Sequence, residues 1–158
     1  MIAAVAGALM RAALAGPACC VLVGQGTAAE PLVVRDDPGG PIRVRAEEVR
    51  ALMRSGRRVI IDGQCLSACT MYLRLPAGQV CLTRRSALAF HQVSFNYDST
   101  RPAHDQTAML LLFYPPAVQD WIEAHGGLGA EFITLAGKDL EKAAPICRRG
   151  RSAVPARP

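Results

Sequence analysis

The sequence predicts a small layered α/β domain with a mostly parallel sheet. Three observations lead there. Helical apolar periodicity and short apolar strands alternate along the chain, the order from which layered α/β folds are built. The run RVIID at residues 58–62 has a continuous apolar centre, the pattern of a strand buried on both faces. Glycine or proline punctuates most junctions between these segments. A chain of 158 residues is long enough for one domain with a core and too short for two. The strands are too few to close a barrel.

The elements follow in order. Residues 31–35 (PLVVR) read as a short strand, and Asp36-Asp37-Pro38-Gly39-Gly40-Pro41 as a turn. Residues 46–55 (AEEVRALMRS) have helical periodicity, with Val49, Leu52 and Met53 on one face and Gly56 as the stop. After the strand at 58–62, Gly63-Gln64-Cys65-Leu66 reads as a tight connection. Residues 67–75 (SACTMYLRL) read as a helix with Ser67 as its N-cap. Short strands are expected at 79–82 and 87–92, and a polar loop at 93–102. Helices are expected at 103–114 and 117–125, separated by Pro115-Pro116 and closed by Gly126-Gly127. Residues 130–135 are apolar and fit either a strand or a helix. Residues 138–144 read as a short helix. No internal repeat is visible.

Residues 1–29 read as a signal peptide. They are almost wholly apolar, with Arg11 as their single charge, and end in Thr27-Ala28-Ala29, the small-x-small pattern of a cleavage site. A start at Met10 gives a tidier signal: one positive charge, a short apolar run, then the site. A retained anchor is the alternative, although Gly16-Pro17 breaks the run and leaves it short for a bilayer. A lipoprotein signal needs a leucine shortly before Cys19 or Cys20, and Gly16-Pro17-Ala18 fits that poorly. The domain then covers residues 30–147. The end at 148–158 (RRGRSAVPARP) is low in apolar content and reads as a disordered tail. No stable membrane span is expected after cleavage.

Cys65, Cys69, Cys81 and Cys147 remain after residue 29. An even count behind an export signal favours two disulfides, in one of three pairings, in a periplasmic or secreted protein. A zinc site is a weaker rival: Cys65, Cys69 and His91 could supply ligands, but paired CxxC knuckles are missing. No metal and no cofactor motif is read. The net charge of +5 is scattered, apart from Arg148, Arg149 and Arg151, with no aromatic-interleaved basic stripe. Nucleic acid is therefore not an expected partner.

Two residue types carry the chemistry. A serine that opens a helix directly after a buried strand sits beside backbone N–H groups lacking helical acceptors, at the positive end of the helix dipole. That setting suits a nucleophile and the oxyanion it generates, and it equally suits a plain N-cap. His91 ends a strand beside Gln92. Imidazole is the usual base for serine at neutral pH, although a lone histidine on an apolar strand is more often structural. His104 and His125 read as surface helix positions. The Gly39-Gly40 pair would let a backbone N–H approach a carbonyl oxygen closely.

In order, the chain shows Asp37-Pro38-Gly39-Gly40, a helix, a buried strand, Gly63-Gln64-Cys65-Leu66-Ser67, and Phe90-His91-Gln92. Ser67 precedes His91 by 24 positions and follows Gly40 by 27. This series resembles the Clp protease proteolytic subunit and its crotonase relatives, over roughly residues 32–92 and more loosely to 144. The Cys-Leu-Ser-Ala-Cys-Thr run is also similar to an exported bacterial branch related to that family.

The resemblance implies Ser67 as nucleophile, His91 as general base, and the N–H groups of Gly40 and Ala68 as the oxyanion hole. The family's acid comes after the histidine, and Glu131 and Asp139 are the candidates here. It also implies acyl transfer on a peptide or acyl substrate, and assembly into a homo-oligomer. Three functions stay open at this point: a serine hydrolase, a catalytically inactive Clp/crotonase-like binding domain, and a disulfide-stapled structural protein of the envelope.

Overall fold

The structure is a computed structural model and describes residues 29–95 and 98–148, with backbone alone at 98–100. The signal-peptide reading of 1–29, the alternative start at Met10 and the tail beyond Arg148 lie outside the described residues, apart from Ala29.

A mixed, mostly parallel sheet organises the chain. Strand β1 (Leu32–Asp37) leads through helix α1 (Ile42–Ser55) to β2 (Val59–Leu66), and β1 and β2 pair in parallel. A 3-10 helix (Ser67–Arg74) follows, then β3 (Val80–Leu82) and β4 (Ala87–Phe90). Strand β2 is shared between two partners. Its first half pairs with β3 and its second half with β4, both in parallel. Past a small hairpin of β5 (Ser94–Phe95) and β6 (Asp98–Pro102) come α2 (His104–Leu111) and α3 (Pro116–Ala124). Strand β7 (Ile133–Ala136) returns antiparallel to β4, and a second 3-10 helix (Gly137–Lys142) follows. Among the described residues, no helix is long and apolar enough to cross a membrane.

Several elements differ from expectation. Helix α1 starts at Ile42, directly after Pro41 and four residues before the expected start at residue 46. The Gly63–Leu66 connection is instead the second half of β2. Gly63 is there for contact: a Cβ on it would collide with the Arg35 carbonyl of β1. The polar loop at 93–102 contains the β5–β6 hairpin, and the ambiguous segment at 130–135 becomes β7. The segment after Ser67 is 3-10 rather than α-helical, and so is the segment after Gly137.

The core lies between the sheet and its helices. Val49 and Leu52 of α1 are buried and Met53 packs against them, as the periodicity requires. Gly56 closes α1 in the left-handed conformation and donates its N–H to the Leu52 carbonyl. The buried Gln79 amide donates to the Leu52 and Arg57 carbonyls, so the link between α1 and β2 has its polar groups satisfied. On the other side, Phe90 meets Tyr114 edge-to-face at 5.1 Å and Trp121 at 6.1 Å. This aromatic cluster fixes the end of β4, from which His91 emerges.

Candidate active site

Strand β2 stops at Leu66, and the chain turns sharply at Ser67. Ser67 has φ +53°, the sole positive φ outside glycine among the described residues. Left-handed backbone at a residue with a Cβ costs on the order of 1–3 kcal/mol and persists only where the surroundings enforce it. Several contacts enforce it here. Cys65 and Cys69, two positions to either side, are bonded to each other. The Ser67 carbonyl accepts from Thr70 Oγ1 at 2.6 Å, and that hydroxyl pairs with the buried Tyr114 hydroxyl at 2.8 Å. The expected N-cap role is corrected: Leu66 holds the cap position and no side chain caps this helix. The Ser67 hydroxyl is aimed elsewhere.

Its partner is His91. Nε2 lies 2.7 Å from Ser67 Oγ. The imidazole is half-buried against the Phe132 ring, with centroids 4.4 Å apart. Burial disfavours the charged form, so the His91 pKa falls below its ordinary 6.5. A neutral imidazole with its proton on Nδ1 leaves Nε2 free to accept the serine proton.

The glycine turn abuts this pair. A Cβ on Gly39, which has φ +102°, would lie 2.7 Å from the Leu66 carbonyl oxygen, 2.8 Å from Ser67 Cβ and 3.0 Å from the Ala68 nitrogen. Gly40 lines the same cleft as Ser67 and His91, and its N–H is hydrogen-bonded to no described residue. Ala68 is the second residue of the 3-10 helix that begins at Ser67, in the first turn, where N–H groups lack acceptors within the helix. Of the two expected oxyanion donors, Gly40 thus shares the cleft with Ser67, and Ala68 is the residue that follows it in the chain.

Gly39→Ala is expected to lose at least ~2 kcal/mol of stability, because strain and three immovable neighbours act together. Gly40→Ala meets nothing within 4 Å and is expected to lose only ~1 kcal/mol from its φ of +127°. Urea unfolding of both variants checks the difference, and equal losses would contradict the close approach.

The cleft holds about 710 Å³, within the range of small-molecule pockets. Pro41, Ile42, Val93, Leu110 and Phe132 give its walls an apolar part, Gln92, Ser94 and Gln106 a polar one, and Arg43 and Glu131 add one charge of each sign.

No family model and no curated protein matches this chain.

The two acid candidates separate. Glu131 lines the cleft, whereas Asp139 sits in the second 3-10 helix and pairs with Lys142 at 3.4 Å. Among the described residues, neither carboxylate is hydrogen-bonded to His91. The cysteines resolve to Cys65–Cys69 and Cys81–Cys147, so the zinc alternative loses its two thiols. His125 caps Trp121 from the surface, with Nδ1 2.7 Å from the Trp121 carbonyl, and His104 opens α2 exposed to solvent.

Two features had no signal in the sequence reading. Phe132, an exposed aromatic packed on His91, lies within the stretch at 130–135 that fits either strand or helix. Arg45, in the first turns of α1, reaches Asp37, the Gly39 carbonyl, Glu48 and the Tyr72 hydroxyl. An arginine eight residues from an aspartate is not a pattern that local periodicity reveals.

Proposed function

We propose that this protein is an exported serine hydrolase of Clp/crotonase-like architecture, acting on peptide or acyl substrates by acyl transfer. The observation that carries the proposal is the 2.7 Å Ser67 Oγ–His91 Nε2 contact, made by a serine in left-handed backbone at the wall of a cleft. Ser67 Oγ attacks the substrate carbonyl carbon as its proton passes to His91 Nε2. The carbonyl oxygen becomes an oxyanion, received by the N–H groups of Gly40 and Ala68. Collapse expels the leaving group, which takes the proton from His91 and leaves an acyl ester on Ser67. Water then attacks that ester with His91 as base, releasing the carboxylic acid and restoring the serine.

Export to the periplasm or outside the cell is supported by the two disulfides and by the signal-like composition of residues 1–29. A second reading keeps the cleft and drops the chemistry. The placement of Asp139 on Lys142 favours it, since this leaves only Glu131 of the two carboxylates at the cleft. A fluorophosphonate probe on folded protein separates them. The hydrolase labels, and the adduct maps by mass spectrometry to Ser67. A folded sample that stays unlabelled overturns the hydrolase in favour of a binding domain.

The pH profile follows from His91. The base must be neutral, and burial lowers its pKa below 6.5. Labelling is expected to be level through neutral pH and to fall about tenfold per pH unit on an acid limb centred below 6.5. The sign for stability agrees. The unfolded chain binds more protons at this site than the folded one, so its contribution is complete above 6.5 and is lost as pH falls through the folded value. A limb centred above 6.5 would contradict the desolvated imidazole.

A further inference from the structure

We propose that Arg45, clamped by Asp37, is a positioning residue that holds the Gly39-Gly40 turn against the Ser67 elbow. The inference rests on the hydrolase reading for its catalytic consequence, and on geometry alone for its structural one. Arg45 has 11% of its side chain exposed and is shared among groups from three elements. One nitrogen of its guanidinium, Nη2, lies 2.6 Å from Asp37 Oδ2 at the end of β1 and 3.4 Å from the Gly39 carbonyl. The other, Nη1, donates to Glu48 Oε2 at 3.0 Å and to the Tyr72 hydroxyl. Tyr72 belongs to the 3-10 helix that begins at Ser67, donates to Glu48 Oε1 at 2.8 Å, and has its ring 4.6 Å from the guanidinium carbon. Asp37 completes the clamp from the other side, since its Oδ1 accepts the Gly39 N–H at 2.8 Å.

The consequence is geometric. The oxyanion hole needs two N–H donors from different segments, Gly40 in the turn and Ala68 in the helix, held at a fixed separation. The backbone at Gly39 and Gly40 is glycine with positive φ and has little preference of its own. Arg45 ties that turn to the serine's helix through Tyr72 and to β1 through Asp37. A planar fork suits this task better than a flexible ammonium, because its donors point in fixed directions. The titratable and charged groups in direct contact with Arg45 are Asp37, Glu48 and Tyr72.

The test uses Arg45→Lys, which keeps the charge, and Tyr72→Phe, which keeps the packing but removes the hydroxyl. Arg85→Lys, at the remote Asp62 pair, serves as a control for the loss of an ion pair. Amide hydrogen exchange is read at Gly39, whose N–H is bonded to Asp37, and in β2. Fluorophosphonate labelling is resolved into maximal rate and half-saturating probe concentration.

The proposal expects Gly39 exchange to accelerate at least tenfold in Arg45→Lys with β2 unchanged. It expects the maximal labelling rate to fall about tenfold in Arg45→Lys and Tyr72→Phe, at an unaltered half-saturation and with Arg85→Lys like wild type. Gly39 exchange that stays at the wild-type rate, or that rises only in step with β2, overturns it. So does unaltered labelling in both variants. If wild-type protein does not label at all while Gly39 responds to Arg45→Lys, the clamp stands and the hydrolase reading fails.

Discussion

Ser67→Ala is expected to slow hydrolysis of an activated ester by at least ~10³-fold, and His91→Ala to do nearly the same. In the proposed mechanism the two side chains pass one proton across their 2.7 Å contact, so neither is expected to function without the other. The double variant is therefore expected to be no slower than the worse single one, whereas independent contributions would multiply. Any residual rate above water is then expected to come from the cleft and the backbone donors. Stability provides a second readout. Position 67 has φ +53°, which a Cβ disfavours and glycine does not. Ser67→Gly is expected to be as inactive as Ser67→Ala and ~1 kcal/mol more stable than it. Steady-state kinetics and urea melts on the four proteins check both parts. Independent rate losses in the double variant would remove the dyad.

The second large effect is structural. Replacing Cys81 and Cys147 by serine is expected to cost about 4 kcal/mol, from the loop entropy of a bridge across 66 positions. The Cys65–Cys69 bridge spans only 4 positions and is worth about 2 kcal/mol on the same relation. The longer bridge also fastens a real interface. Cys147 N–H donates to the Leu82 carbonyl at 2.8 Å, and Leu82 N–H to the Pro145 carbonyl at 3.0 Å, so the segment 145–147 lies along the end of β3. Behind it Leu140, Ala143 and Ala144 are buried, and their burial weakens once the segment is released. Denaturant unfolding of the double serine variant, with Cys65–Cys69 intact, reads the loss. A change below ~1 kcal/mol would show that the segment is held by packing alone.

The α/β class was legible in the sequence because periodicity changes along the chain and β2 carries a run of β-branched residues. Val49, Leu52 and Met53 of α1 were legible for the same reason. The serine, the histidine and the glycine pair were legible as a series, and the structure brings Ser67 and His91 together with Gly40 at one cleft. What escaped was decided by long-range contact. Gly63 looks like a turn residue, yet it is a glycine because β1 passes too close for a side chain. The helix after Ser67 has every residue from Ala68 to Leu73 buried, so no polar face reveals its pitch. Ile42-Arg43-Val44-Arg45 alternates like a strand, and only Pro41 before it and the contacts of Arg45 make it the opening of α1. The disulfide pairing, open among three choices in the sequence, needed the register that sets Leu82 beside Ile146.

The Cys65–Cys69 bond makes residues 65–69 a small covalent ring with Ser67 at its apex. An ordinary elbow is a bend in an open chain, which thermal opening of either neighbouring element can straighten. Here a local opening of β2 or of the following helix leaves the ring closed and the serine still at its crest. In an oxidising environment the backbone of Ser67 is thus insulated from the breathing of the fold around it, and the parts held by non-covalent contacts alone lie outside the ring: the imidazole, packed on Phe132, and the glycine turn, held by Asp37 and Arg45.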